Sequence, residues 1–298
     1  MKAKRLSPDG TIGIICTSHV ADIKKYSRIV ETLNRLGYKV KLGEDIYKDT
    51  YGFVASTEER ADDINTLIED DDVQMILFGG GESAAEILPL IDYNKIKKHP
   101  KLFSSYSDGT SILNAINVQT GLITYYGAGT GVFLDLRYYD YMQFCLNFVE
   151  GYSIDQFKKD SDWKTIRGGQ CAGILIGGYL PCFGLMLSNR YFRYDQNKKY
   201  ILFLEDHEKF SSVGAVSTCL AFIEQSAFMQ SVSGVIFGHY SDSVPDELLH
   251  CFERFGSRNN IPVVYTDDFG HGTRHAVLPI GMNAELDADR QSLLFLDI

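Results

Sequence analysis

No stretch of the 298 residues approaches the roughly 18 uninterrupted apolar positions that a membrane-crossing helix requires, so no membrane partner is expected. An apolar run of roughly 7–15 residues is also missing behind the amino-terminal Lys2, Lys4 and Arg5. Ser7-Pro8-Asp9-Gly10 stands there instead, which gives no export signal and points to the cytoplasm. Positive charge is scarce, with 29 Lys and Arg against 39 Asp and Glu and a net charge of −10. The one basic cluster, Lys95 to Lys101, is too short to follow a phosphate backbone, so nucleic acid is excluded as a partner. The six cysteines (16, 145, 171, 182, 219 and 251) form no Cys-x-x-Cys pair and have no histidine at metal-ligand spacing. They read as buried thiols in a reducing compartment, and no metal is expected. Gly-x-Gly-x-x-Gly and Gly-Lys-Ser/Thr motifs are lacking too, so nothing calls for a nucleotide or other cofactor.

What is present is the composition of an ordinary globular protein, 45% hydrophobic and 23% charged. The length suits two modest α/β domains or one large one. Thr11 to Cys16 predicts a strand, and Tyr26, Ile29, Val30, Leu33 and Leu36 recur at helical spacing until Gly37. Tyr38, Val40 and Leu42 alternate as a second strand. Ser56 and Glu59 make a capping box at the head of the next helix. Val73 to Phe78 is a continuous apolar run of the kind buried in a parallel sheet. Leu102 to Ser105, Ile112 to Val118 and Leu122 to Tyr126 continue the alternation of strand and helix, and Phe133 to Phe148 reads as one aromatic-rich helix.

The expected fold is therefore α/β, with a doubly wound, mainly parallel amino-terminal domain over 1–150. A polar linker over 151–164 leads into a smaller, β-rich α/β domain over 165–298. Strands are expected at Ile201 to Leu204, Gly234 to Phe237 and Pro262 to Thr266, helices near Val213 to Phe228 and Pro245 to Phe255, and a hairpin over Ala276 to Asp297.

Two turns carry the chemical signals. Ser105-Tyr106-Ser107-Asp108-Gly109, between a strand and a helix, resembles a Gly-x-Ser-x-Gly nucleophile elbow with Ser in place of the first Gly. Such a turn exposes the Ser107 hydroxyl and directs the Asp108 amide at an oxyanion. The plain alternative is that Ser107 or Asp108 caps the helix. Gly79-Gly80-Gly81-Glu82-Ser83 follows another strand, and its glycines would let amides approach an oxyanion or a phosphate, or simply make a tight turn. A serine nucleophile needs a base. His271, between Gly270 and Gly272, is the leading histidine because its imidazole should be unobstructed, and His239, also after a strand, is the rival. Glu205 ends an apolar strand and could orient the imidazole, with Asp206 and Glu208 competing for the role.

Together these segments resemble the LD-carboxypeptidase family of serine peptidases, which includes the microcin-C-immunity peptidases. IGIICTS resembles the opening strand, FGGGESAAEILPLIDY the glycine loop and its helix, and SYSDGTSILNAI the nucleophile segment. ILIGGYL, ILFLEDHE, VSGVIFGHY, IPVVYTDDFGHG and LPIGMNAELDAD follow in the family's order. The resemblance implies Ser107 as nucleophile, Glu205 as orienting carboxylate and His271 as base, and it sets His239 aside. It also implies backbone oxyanion donors at Asp108 and at Gly80 or Gly81, substrate contacts at Glu82 and Ser83, and a homodimer. The implied substrate is a small amide: a peptidoglycan tetrapeptide cleaved at its L-D bond, or an aminoacyl-nucleotide conjugate. Ser105 departs from the usual glycine, and Gly81-Glu82 stand where family members vary. A non-catalytic small-molecule binding protein is the alternative from another class, and a glutamine amidotransferase would want a cysteine nucleophile that neither turn supplies.

Overall fold

The computed structural model describes residues 1–150 and 156–296, and the chain divides into two compact units, Met1–Tyr152 and Ser153–Ile298. No helix among the described residues is long and apolar enough to cross a membrane.

The first unit alternates β1 (Thr11–Ile15), α1 (Ile23–Arg35), β2 (Lys39–Leu42), α2 (Thr57–Glu69), β3 (Val73–Phe78), α3 (Tyr93–Lys98), β4 (Leu102–Ser105), α4 (Thr110–Thr120), β5 (Thr124–Tyr126) and α5 (Tyr138–Phe144). Its strands pair in the order β5-β4-β3-β1-β2, all parallel. β1 and β4 are buried throughout and β3 nearly so, as a parallel sheet covered on both faces demands. The Ser56–Glu59 capping box forms as expected, with both reciprocal bonds to the backbone. The pairing of Ile76 with Phe103 and Leu77 with Ser104 ends β3 and β4 side by side, so the turns after Phe78 and Ser105 leave the same edge together.

The expected helix over Phe133 to Phe148 is instead three pieces: a 3-10 turn at Thr130–Phe133, then α5, then a π turn at Cys145–Val149. α5 runs directly into the π turn, and Phe133 and Phe148 both meet Phe144 edge to face, at 5.4 Å each.

The second unit holds β6 (Lys164–Arg167), β7 (Gln170–Tyr179), α6 (Leu180–Met186), β8 (Tyr200–Glu205), α7 (Val213–Gln225), β9 (Val232–His239), α8 (Asp246–Asn259), β10 (Val263–Gly270), β11 (Leu278–Ile280), β12 (Asn283–Asp287) and β13 (Ser292–Leu296). Seven strands run β13-β12-β7-β8-β9-β10-β6, with a parallel centre of β7 to β10 and antiparallel edges. β12 and β13 are the expected hairpin.

Of the stretch expected as a linker, residues 151–155 lie outside the described residues. The rest packs into the second unit. Phe157 donates its amide to Leu293, and buried Asp268 accepts the amides of Asp160 and Ser161 at 3.0 and 2.7 Å and the Trp163 indole N–H at 2.9 Å. Because β8, β9 and β10 are parallel neighbours, Glu205, His239 and Gly270 all finish at one end of the sheet.

Candidate active site

In the first unit, β4 delivers the chain through Tyr106 into a short 3-10 turn, Ser107–Gly109, and then α4. Ser107 has φ +55°, a left-handed conformation that costs a non-glycine residue of order 1–3 kcal/mol and persists only where its surroundings enforce it. The enforcement is visible. The Ser107 amide donates to Tyr126 Oη at 3.0 Å, the Ser107 carbonyl accepts from Thr110 Oγ1 at 2.6 Å, and Asp108 accepts the Ala84 amide at 2.7 Å. Asp108 thus ties this turn to the segment after the glycine loop.

The glycine loop runs against the serine. A Cβ on Gly80 would lie 2.5 Å from Ser107 Cβ and 3.0 Å from its Oγ, so only glycine fits there. Gly81, at φ +151°, presses on the Ser18 carbonyl, which accepts the Glu82 amide at 2.9 Å. Glu82 is exposed. Ser83, at φ +75°, is gripped by Arg60, a residue only 1% exposed whose guanidinium also reaches the Thr17 carbonyl at 2.8 Å and Glu86 at 2.6 Å. Ser105 is accommodated because Gly109 leaves space for it, and its hydroxyl donates to the Gly79 carbonyl at 3.3 Å.

In the second unit, His271 Nδ1 lies 2.7 Å from Glu205 Oε2, and the Glu205 side chain is fully buried. A carboxylate partner at Nδ1 assigns the proton to that nitrogen and leaves Nε2 to accept one. Burial pulls the His271 pKa down, but the Glu205 hydrogen bond and the charges of Glu205 and Asp206 outweigh it and lift the imidazole above its ordinary value. Asp206, one residue on, is pushed by burial up to about 6, and Glu208 is exposed. Of the three acidic candidates, Glu205 is the one hydrogen-bonded to the imidazole. The ring is less open than its flanking glycines suggest, because Tyr179 and Phe210 pack edgewise on it at 5.2 and 5.1 Å. Gly270, at φ +112°, instead serves close approach: a Cβ there would lie 3.0 Å from Glu205 Oε2.

The structure therefore brings Ser107 and Asp108 together with Gly80, Gly81 and Ser83 in one unit, and Glu205 together with His271 in the other. Sequence reasoning passed over Arg60 and Tyr126. The placement of Arg60 on the apolar face of α2, in step with Ile64 and Leu67, was the one available signal. Among the described residues no cluster of His, Cys, Asp and Glu could hold a metal ion.

The LD-carboxypeptidase N-terminal domain family matches residues 12–127, and the LD-carboxypeptidase C-terminal domain family matches residues 172–286. The probable murein peptide carboxypeptidase of Bacillus subtilis (strain 168) is 28% identical over 300 residues, which cover 96% of this chain and 91% of that protein. A MccF-like protein from Bacillus anthracis str. Ames superposes with a TM-score of 0.91 at 23% identity, over 100% of both chains. The microcin C7 self-immunity protein MccF, solved in complex with aspartyl sulfamoyl adenosine, superposes with a TM-score of 0.88 at 24% identity, over 99% of this chain and 98% of that one.

Proposed function

The chain belongs to the LD-carboxypeptidase family, and on that premise we propose that it is a serine-type hydrolase of small amides, with Ser107 as nucleophile, His271 as base and Glu205 as the carboxylate that orients it. The observation that carries this reading is the backbone of Ser107: a serine in the left-handed region at a strand-to-helix turn, with its amide and carbonyl both bonded and the next residue, Asp108, bonded to Ala84. A backbone outlier supported in this way favours a functional reading of the position.

In this mechanism His271 Nε2 takes the Ser107 proton as Oγ attacks the amide carbonyl, and Glu205 stays ionised and stabilises the imidazolium. The amides of Asp108 and of Gly80 or Gly81 receive the oxyanion, each worth roughly 3 kcal/mol. The imidazolium then protonates the departing amine, and a water activated by the same nitrogen releases the acyl group. Glu82, exposed on the glycine loop, and Ser83 contact the substrate.

The substrate in the first reading is the L-D bond of a peptidoglycan tetrapeptide, which the murein-directed relative supports. A second reading, an aminoacyl-nucleotide conjugate, draws on the MccF complex and on Phe210, 61% exposed beside His271, an aromatic face on which a nucleobase could stack. Mass spectrometry of wild type and Ser107→Ala with an LD-tetrapeptide and, separately, an aminoacyl-sulfamoyl adenosine tests both. One compound should be cleaved by wild type alone, and folded Ser107→Ala with wild-type turnover would end the proposal.

A further inference from the structure

His239, the rival base, has no task in the proposed triad, yet it is built into the sheet end with unusual care. The residue is 6% exposed at the end of β9, and its Nδ1 lies 2.8 Å from Asp267 Oδ1. The same carboxylate oxygen accepts the Tyr265 hydroxyl at 2.7 Å, and Tyr265 Oη accepts the Tyr240 amide at 3.2 Å. Burial works to raise the Asp267 pKa, but the bonds from His239 and Tyr265 hold it below the usual carboxylate range. An ionised acceptor of this kind fixes both the tautomer and the plane of the ring.

Gly272 rests on that plane. A Cβ on Gly272 would lie 2.7 Å from His239 Cγ, 2.8 Å from Cδ2 and 3.0 Å from Nδ1. On the other side of His271, Gly270 rests on Glu205. The two glycines thus seat the intervening residue on two different partners, the carboxylate it bonds and a second imidazole.

We infer that His239, held by Asp267 and Tyr265, is a positioning residue that fixes the loop carrying His271 and thereby the His271–Glu205 hydrogen bond. The inference rests on the reading of His271 as the base. The other titratable groups packed around the two rings are Glu205, Asp206, Tyr179 and His207, the last with ring centroids 5.6 Å from His239 and 6.4 Å from His271. Burial, with His239, Lys209 and His271 nearby, keeps the His207 pKa below its ordinary value, so it brings little charge at neutral pH.

The test combines an NMR titration of His271 with steady-state kinetics in wild type, His239→Ala, His239→Phe and Gly272→Ala. Loss of the ring in His239→Ala should loosen the bond that lifts the His271 pKa, so its titration midpoint should fall. The kcat should drop roughly 10–100-fold, as a misplacement of about 1 Å implies, with KM nearly unchanged. His239→Phe restores the planar support and should recover the midpoint and most of kcat. Gly272→Ala reaches the same contact from the loop side and should behave as His239→Ala, which covers the case in which the latter fails to fold. A His271 midpoint unmoved in both His239→Ala and Gly272→Ala overturns the inference, whatever happens to turnover. A midpoint that moves while turnover stays at the wild-type rate supports the positioning role and removes His271 from the reaction instead.

Discussion

Replacing Glu205 with Gln tests the base most directly, because it keeps the size of the side chain and an acceptor oxygen while deleting the charge. With Nδ1 and Oε2 2.7 Å apart, the centres of the two charges lie about 4 Å apart in the imidazolium state. At an effective dielectric of about 20 their attraction is about 4 kcal/mol, or roughly three orders of magnitude in rate if all of it is felt in the transition state. The sign of the pH effect follows from the raised His271 pKa. The base works neutral, so the acid limb of kcat/KM in wild type should lie above 6.5, and in Glu205→Gln, where Asp206 alone still opposes burial, it should move down. The same raised pKa stabilises the fold fully below the unfolded value of 6.5, and that contribution is lost as pH rises through the folded pKa. The assay is kcat/KM against pH on the compound that wild type cleaves, alongside thermal unfolding at pH 5 and 9. Glu205→Gln retaining activity within about tenfold, with an unshifted acid limb, would refute the role given to this pair.

Ser107→Gly should abolish turnover, yet unfold at a higher temperature than Ser107→Ala by the equivalent of about 1 kcal/mol, because glycine adopts φ +55° freely; calorimetry on the two variants compares them. Asp268→Ala strands the amides of Asp160 and Ser161 and the indole of Trp163 and should cost about 3 kcal/mol, read from urea unfolding, and a loss under about 0.5 kcal/mol would show that the 160–163 segment contributes little.

The strand-turn-helix course around Ser107 was legible because period and apolar run agree there: β4 is buried throughout and α4 begins after a short 3-10 turn. Glu205 and His271 were legible as a carboxylate and an imidazole after strands, and their pairing was expected; the residues alone left Asp206, Glu208 and His239 in competition, since the choice depends on a shared strand end that the parallel register of β8, β9 and β10 creates. The glycines beside His271 were read as freedom for the ring and for unusual backbone angles; Gly270 does take such an angle, but both glycines also make close contacts, which only the neighbouring strands in place reveal. Arg60 and Tyr126 escaped notice because a buried guanidinium or phenol looks like an ordinary surface or core residue until its partners are known. The long aromatic helix was legible over Tyr138 to Val149 but not at its ends, where a separate 3-10 turn at Thr130–Phe133 and a widening to a π turn at Cys145–Val149 leave no mark in the apolar spacing.

Ser105 occupies the position where an elbow ordinarily wants its smallest residue, and Gly109, two places beyond the nucleophile, gives up the room. Smallness in such a turn is therefore a property of a shared volume and can be supplied from either flank. A search for nucleophilic serines that insists on glycine at a fixed offset would discard this chain, whereas one that sums side-chain bulk across the five residues would keep it.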